Sequence, residues 1–99
     1  MTRIKELADQ IKDELCSAKE YAEEYLSYKA KGDSGWANRY KEMAMDELKH
    51  ADFIHERAVG EIDQLRSVYT PPEDMLEKWD TDHKKYVEKA AWIRQMLAM

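Results

Sequence analysis

Residues 28–36, Tyr28-Lys29-Ala30-Lys31-Gly32-Asp33-Ser34-Gly35-Trp36, hold two of the three glycines of a 99-residue chain, and their reading decides the fold. Gly32 suits the left-handed cap that closes a helix, and Asp33 or Ser34 can accept the first free amides of the next one. So short a break between two long periodic segments folds them back on each other as an antiparallel hairpin.

Upstream of the break, residues 3–31 place Ile4, Leu7, Ile11, Glu14, Ala18, Tyr21, Tyr25 and Tyr28 at alternating steps of three and four, the period of one helix face. Downstream, 34–67 carries a second stripe of Trp36, Tyr40, Met43, Glu47, His50 and Ile54, drifting to Ala58, Ile62 and Leu65. Gly60 costs about 1 kcal/mol relative to Ala in a helix and predicts a bend or frayed end there. Thr70-Pro71-Pro72-Glu73 predicts a third helix over 71–98, with Thr70 as N-cap, Pro71 as first helical residue and Glu73 as reciprocal capping partner. Its stripe is Leu76, Trp79, His83, Tyr86, Ala90, Ile93 and Leu97.

All three stripes keep a heptad step, which predicts near-parallel bundle packing. The expected fold is all-α: one domain over 1–99, an antiparallel two-helix hairpin plus a third C-terminal helix. A hairpin exposes a wider apolar face than one further helix covers, so two chains are expected to complete a four-helix bundle.

Composition narrows the function. Charged residues make up 37% of the chain and hydrophobic ones 43%, the balance of long helices with charged surfaces. Three glycines and two prolines are too few for a many-turned β-sandwich, and no GxGxxG or Walker-type loop is present to cradle phosphate. The net charge of −5, with no unopposed basic stripe, argues against nucleic acid as a partner. Cys16 is alone, which rules out an intramolecular disulfide and an all-cysteine metal centre. The N-terminal MTRIKELADQIKDEL puts charge into every turn, and no window approaches the roughly 20 apolar residues of a membrane span. The expectation is a cytoplasmic protein without a membrane partner.

Two positions on the stripes are wrong for a plain core: Glu14, and the Glu47/His50 pair. A carboxylate shut away alone costs several kcal/mol, so it must be paired, protonated or bound to a cation. Glu47-Leu48-Lys49-His50 is an ExxH motif whose i, i+3 spacing puts carboxylate and imidazole on one helix face. In an antiparallel hairpin, facing residues share a midpoint. That midpoint falls at 30.5 for Glu14 with Glu47 and at 32 for Glu14 with His50, both in the predicted turn. Glu20 would sit about 9 Å further along and off the stripe. One hairpin thus supplies two carboxylates and a histidine, half of a carboxylate-bridged dinuclear site. Two hairpins about a two-fold axis supply four Glu and two His, a donor set that favours iron or manganese and also accepts zinc. The plainer alternatives stay open: ExxH arises by chance in Glu-rich helices, and a heptad Glu can set register or face water.

Other residues have plainer readings. Asp52-Phe53-Ile54-His55 repeats the spacing off the main stripe and is expected on the solvated surface. His83 is expected to be a partly buried, hydrogen-bonded histidine; an intrachain mononuclear site of Glu14, Glu47, His50 and His83 is the competing arrangement. Glu20, Glu23 and Glu24 form a solvated face that draws cations inward. Tyr21, Tyr25 and Tyr28 are core aromatics with polar tips, and Met43 and Met45 are gap-fillers.

The segment MAMDELKHADFIHERAV (43–59) resembles the second-helix ligand segment of ferritin-like proteins of the rubrerythrin and bacterioferritin group. Glu14 followed seven residues later by Tyr21 resembles the family's ligand-helix pattern, and the 33-residue separation of Glu14 and Glu47 is close to the family's range. The resemblance spans roughly residues 7–65. Family members of ordinary length carry two such hairpins, whereas this chain has one, in a design similar to the encapsulated ferritins. The resemblance implies an Fe(II)-oxidising ferroxidase using O2 at a di-iron site between two subunits, in iron storage or detoxification. Glu47 would bridge the metals, Glu14 and His50 would terminate them, and Tyr21 would supply a further electron or a hydrogen bond. Manganese or zinc are possible substitutes for iron. The implied partners are a second copy, in a homodimer or higher homo-oligomer, and an encapsulin-type shell forming a nanocompartment in the cytoplasm, although no shell-targeting tail is legible after Ala90. A rubrerythrin-type peroxidase would need a four-cysteine centre that Cys16 cannot build. The alternative function is a non-enzymatic helical assembly protein whose Glu/His cluster is structural or binds zinc.

Overall fold

The computed structural model describes residues 2–68 and 70–99, and for Thr2 the backbone only. Among them are three helices and no strand: α1 (Thr2–Ala30), α2 (Ser34–Val68) and α3 (Glu73–Ala98). The turn after α1 closes as its residues dictate. Gly32 adopts φ +79°, and its N–H donates to the Lys29 carbonyl at 3.0 Å while that of Asp33 donates to the Tyr28 carbonyl at 2.9 Å. This pair of bonds satisfies carbonyls that the helix end would otherwise leave bare. Asp33, rather than Ser34, caps α2: its carboxylate accepts the Trp36 N–H at 3.2 Å and its carbonyl that of Ala37 at 3.0 Å.

The third helix starts two residues later than expected. Glu73 is its first residue, and Pro72 (φ −57°, ψ 140°) occupies the cap position with no side-chain cap bond. The reason lies in the Pro-Pro pair. The ring of Pro72 disfavours helical backbone at Pro71, so Pro71 cannot be the first helical residue and Thr70 cannot cap it. Glu73 and Asp74 in the first turn partly compensate, because negative charge is favoured at a helix N-terminus. At Gly60, where a bend or fray is expected, α2 continues unbroken to Val68.

α2 runs antiparallel to α1, as shown by Arg3 beside Glu61 at 4.0 Å near one end and Tyr28 against Trp36 at the other. α3 returns parallel to α1: Lys89 reaches Cys16 Sγ at 3.3 Å, and Lys29 donates to the Met99 carbonyl. The result is a rod of 56 × 17 × 17 Å.

Along α1 the buried residues are Ile4, Leu7, Ile11, Leu15, Ala18, Ala22 and Tyr25. Leu15 and Ala22 take interior positions, while Glu14 and Tyr21 stand half-buried on the flank. Each large aliphatic side chain buried here stabilises the fold by about 1.5–3 kcal/mol. On α2 a column of alanines seven residues apart, Ala37, Ala44, Ala51 and Ala58, is almost fully buried, joined by Leu48 and Ile62. Methyl-sized side chains at each heptad let the two backbones approach closely. Met43 and Met45 are exposed and fill no gap in the chain taken singly.

α3 covers one flank of the hairpin. Its neighbours are Ala8, Ile11 and Leu15 of α1 and Leu48 and Asp52 of α2. Glu14, Tyr21, Tyr40, Met43, Glu47 and His50 lie on the other flank by the 100° step of the helix, where no element covers them. The buried residues of α3 are Ala90, Ile93, Met96 and Leu97, all in its C-terminal half.

Candidate metal centre

The heptad that sets Glu14 beside Leu15, and Glu47 beside Leu48, turns both carboxylates to the seam between α1 and α2. No buried charged residue occurs among the described residues, so the carboxylates are not shut inside a core as their stripe positions suggest. Their side chains are 27% and 23% exposed, and that of His50 is 59% exposed. His50 Nδ1 lies 3.5 Å from Glu14 Oε2 and 3.9 Å from Glu47 Oε1. One donor atom from each of the three falls within 4.8 Å of the others, the group among the described residues placed to hold a cation. Donors 3.5–3.9 Å apart span a cation at about 2.1 Å from each, an ordinary metal–carboxylate or metal–imidazole distance. The donor chemistry therefore fits a divalent ion.

Electrostatics agree. The Glu47 pKa is pushed up to about 6, first by a hydrogen bond with the Glu14 carboxyl, then by burial and by the Glu14 charge, while His50 pulls the other way. Two carboxyls this close share a proton because both cannot ionise cheaply. A metal ion would take that proton's place.

Tyr21 does not join the group. It sits two helical turns along α1, about 10.5 Å by helical rise, with its ring 6.2 Å from that of Tyr40. Tyr40 in turn stacks on Tyr28 at 5.5 Å, and Trp36, 53% exposed, closes this aromatic patch beside the turn. Tyr25 is buried, with Lys29 and Lys41 over its ring.

His83 does not join it either, so the four-residue intrachain arrangement is not formed. Its ring is 4.9 Å from that of His55, which also stacks on Trp79 at 5.8 Å and Tyr86 at 5.1 Å. The Asp52–His55 segment is thus not plain solvated surface. Asp52 accepts a hydrogen bond from the Tyr86 hydroxyl and one from Arg94 at 3.2 Å. Burial, with that bond to Asp52 second, pushes the Tyr86 phenol up to about 12. Sequence reasoning missed this cluster, although His83, Trp79 and Tyr86 all stand on the third stripe; what it lacked was the face of α2 that α3 meets.

No family model, no curated protein and no solved structure matches the chain. The arrangement of Glu14, Glu47 and His50 therefore carries the functional reading. Among the described residues, no helix is long and apolar enough to cross a membrane.

Proposed function

We propose that the chain is an iron-binding ferroxidase that acts as a pair, two copies facing each other through the uncovered flank of the α1–α2 hairpin. The observation that carries this is the meeting of Glu14, Glu47 and His50, three ligands where a dinuclear centre needs about twice that number, on a face that a second copy can cover. The resemblance of residues 43–59 to ferritin-like ligand segments supports the same reading. Fe(II) is the substrate: two ions each give one electron to one O2, with protons balancing the charge. Glu47 from both copies would be shared by the pair of ions, and Glu14 and His50 of each copy would complete the hold on one of them. Four carboxylates offset the charge of two divalent ions and favour the ferric product, whose higher charge they stabilise more. Tyr21, about 10.5 Å along the same flank, is out of hydrogen-bond range of these ligands. Manganese and zinc suit the same donors, and an encapsulin-type shell enclosing the dimers in the cytoplasm belongs to this reading.

The exposed Met43 one turn from Glu47, and the exposed Trp36 near the hairpin turn, favour a second reading as well, a non-enzymatic assembly protein joined through a zinc or structural Glu/His cluster. Native mass spectrometry during anaerobic Fe(II) titration, followed by aerobic oxidation kinetics, separates them. Two irons per pair of chains, appearing on dimers and then oxidised, support the ferroxidase. Metal-dependent assembly without oxidation supports the second reading, and no specific uptake sinks the ferroxidase and leaves a helical assembly protein.

A further inference from the structure

The N-terminal half of α3 is attached differently from the rest of the rod. Fully buried side chains begin only at Ala90, so residues 73–86 dock on half-buried contacts, of which the stack of His55 with Trp79, His83 and Tyr86 is the main one to α2. His55 Nε2 is buried with no hydrogen-bond partner. Two spaces adjoin the ring: a closed one of ≈ 20 Å³ lined by Ala8, Ile11, Asp82 and the aromatic rings, and an open one of ≈ 280 Å³ bordered by Val59, Ile62, Asp63 and Arg66.

We propose that this stack is an acid-sensitive latch: protonation at His55 releases residues 73–86 of α3 from α2, while residues 90–97 stay packed. The Nε2 side of the ring, closed to water and without an acceptor, offers a positive charge no partner. An imidazolium at His55 would bury an N–H without an acceptor and would press against a second imidazole 4.9 Å away. The surrounding groups do not relieve it. From α2, Asp52 already accepts from Tyr86 and Arg94, while Glu56, Asp63 and Arg66 are exposed. From α3, Asp82 pairs with Lys78 at 3.4 Å, and Asp80 faces water. From α1, Ala8 and Ile11 line the closed space beside the two imidazoles, while the exposed Lys5, Asp9 and Lys12 border Trp79 and Tyr86 on their outer side. Burial and the neighbouring His83 accordingly hold the His55 imidazole below its usual range, against the weaker opposite pull of Asp52 and Glu56. Protonation is then met by moving the ring into water, which opens the half-helix that carries its partners. This latch is independent of whether a metal binds on the other flank.

Amide hydrogen exchange of the full chain, corrected for intrinsic rates, tests it at pH 7.5 and 5.5. Residues 76–86 should lose about tenfold or more in protection relative to 93–97 on acidification, in the manner of a local opening. His55→Phe, which keeps a ring in the stack but no titratable nitrogen, should reduce that loss, and so should His83→Phe, which removes the imidazole that a charged His55 presses against. Ring NMR provides a check on the wild-type chain: contacts between His55 and Trp79 should vanish as His55 titrates. An unchanged protection ratio, an undiminished loss in the phenylalanine variants, or titration with those contacts intact would each overturn the latch.

Discussion

Glu47 is a carboxyl that keeps its proton to about pH 6, against a usual 4.5, because Glu14 shares it. Its pKa is higher folded than unfolded, so the stability that its proton confers is complete below about 4.5 and is lost as the pH rises through 6. Metal-free Glu47→Gln should therefore flatten this part of the pH profile in chemical denaturation between pH 4.5 and 7. It should leave the midpoint at neutral pH unchanged or raised. The same variant should lose the rise in Tm that a bound metal gives the wild type. Metal affinity, followed by calorimetry, should fall as the pH drops below about 6, since the ion must displace the shared proton. At this scale the sequence was informative: Glu14, Glu47 and His50 stand out because they are polar residues at apolar heptad positions on facing levels. The His55 stack was not legible, because spacing fixes which residues share a face of a helix but not which face a third helix meets.

Helices α1 and α2 owe their ends to identifiable residues, and two substitutions of opposite sign test this. Asp33→Ala removes the carboxylate that accepts the Trp36 N–H and should cost about 1 kcal/mol. Gly60→Ala should stabilise by about 1 kcal/mol, since a methyl group there meets no atom within 4 Å and α2 is continuous through it. Thermal denaturation of both variants beside the wild type measures the pair; a Gly60→Ala protein with lowered Tm would contradict an unstrained, open site. The helix count and the first turn were readable because Gly32 and Asp33 act locally. The start of α3 was misjudged because a capping-box pattern was read through a Pro-Pro pair, and the constraint of the second proline on the first outweighs the cap.

Taken as a whole, the rod is covered on one flank and bare on the other, and the bare flank carries Trp36, Tyr40, Met43, Glu47 and His50 together. Sedimentation equilibrium with and without Fe(II) or Mn(II) should show a dimer or larger species in the presence of metal. Trp36→Ala should weaken that association while leaving the helix content measured by circular dichroism unchanged. A monomer that persists with metal bound would remove the paired site. The alanine column of α2 has a further consequence for this flank. Ala44 and Ala51 lie at the levels of Glu47 and His50, and their methyl groups set how near α1 can come, and so how far Glu14 stands from its two partners. For the proposed ion they would act as a calliper of its radius: the jaws would be carboxylates, with the opening fixed by hydrocarbon one layer behind them.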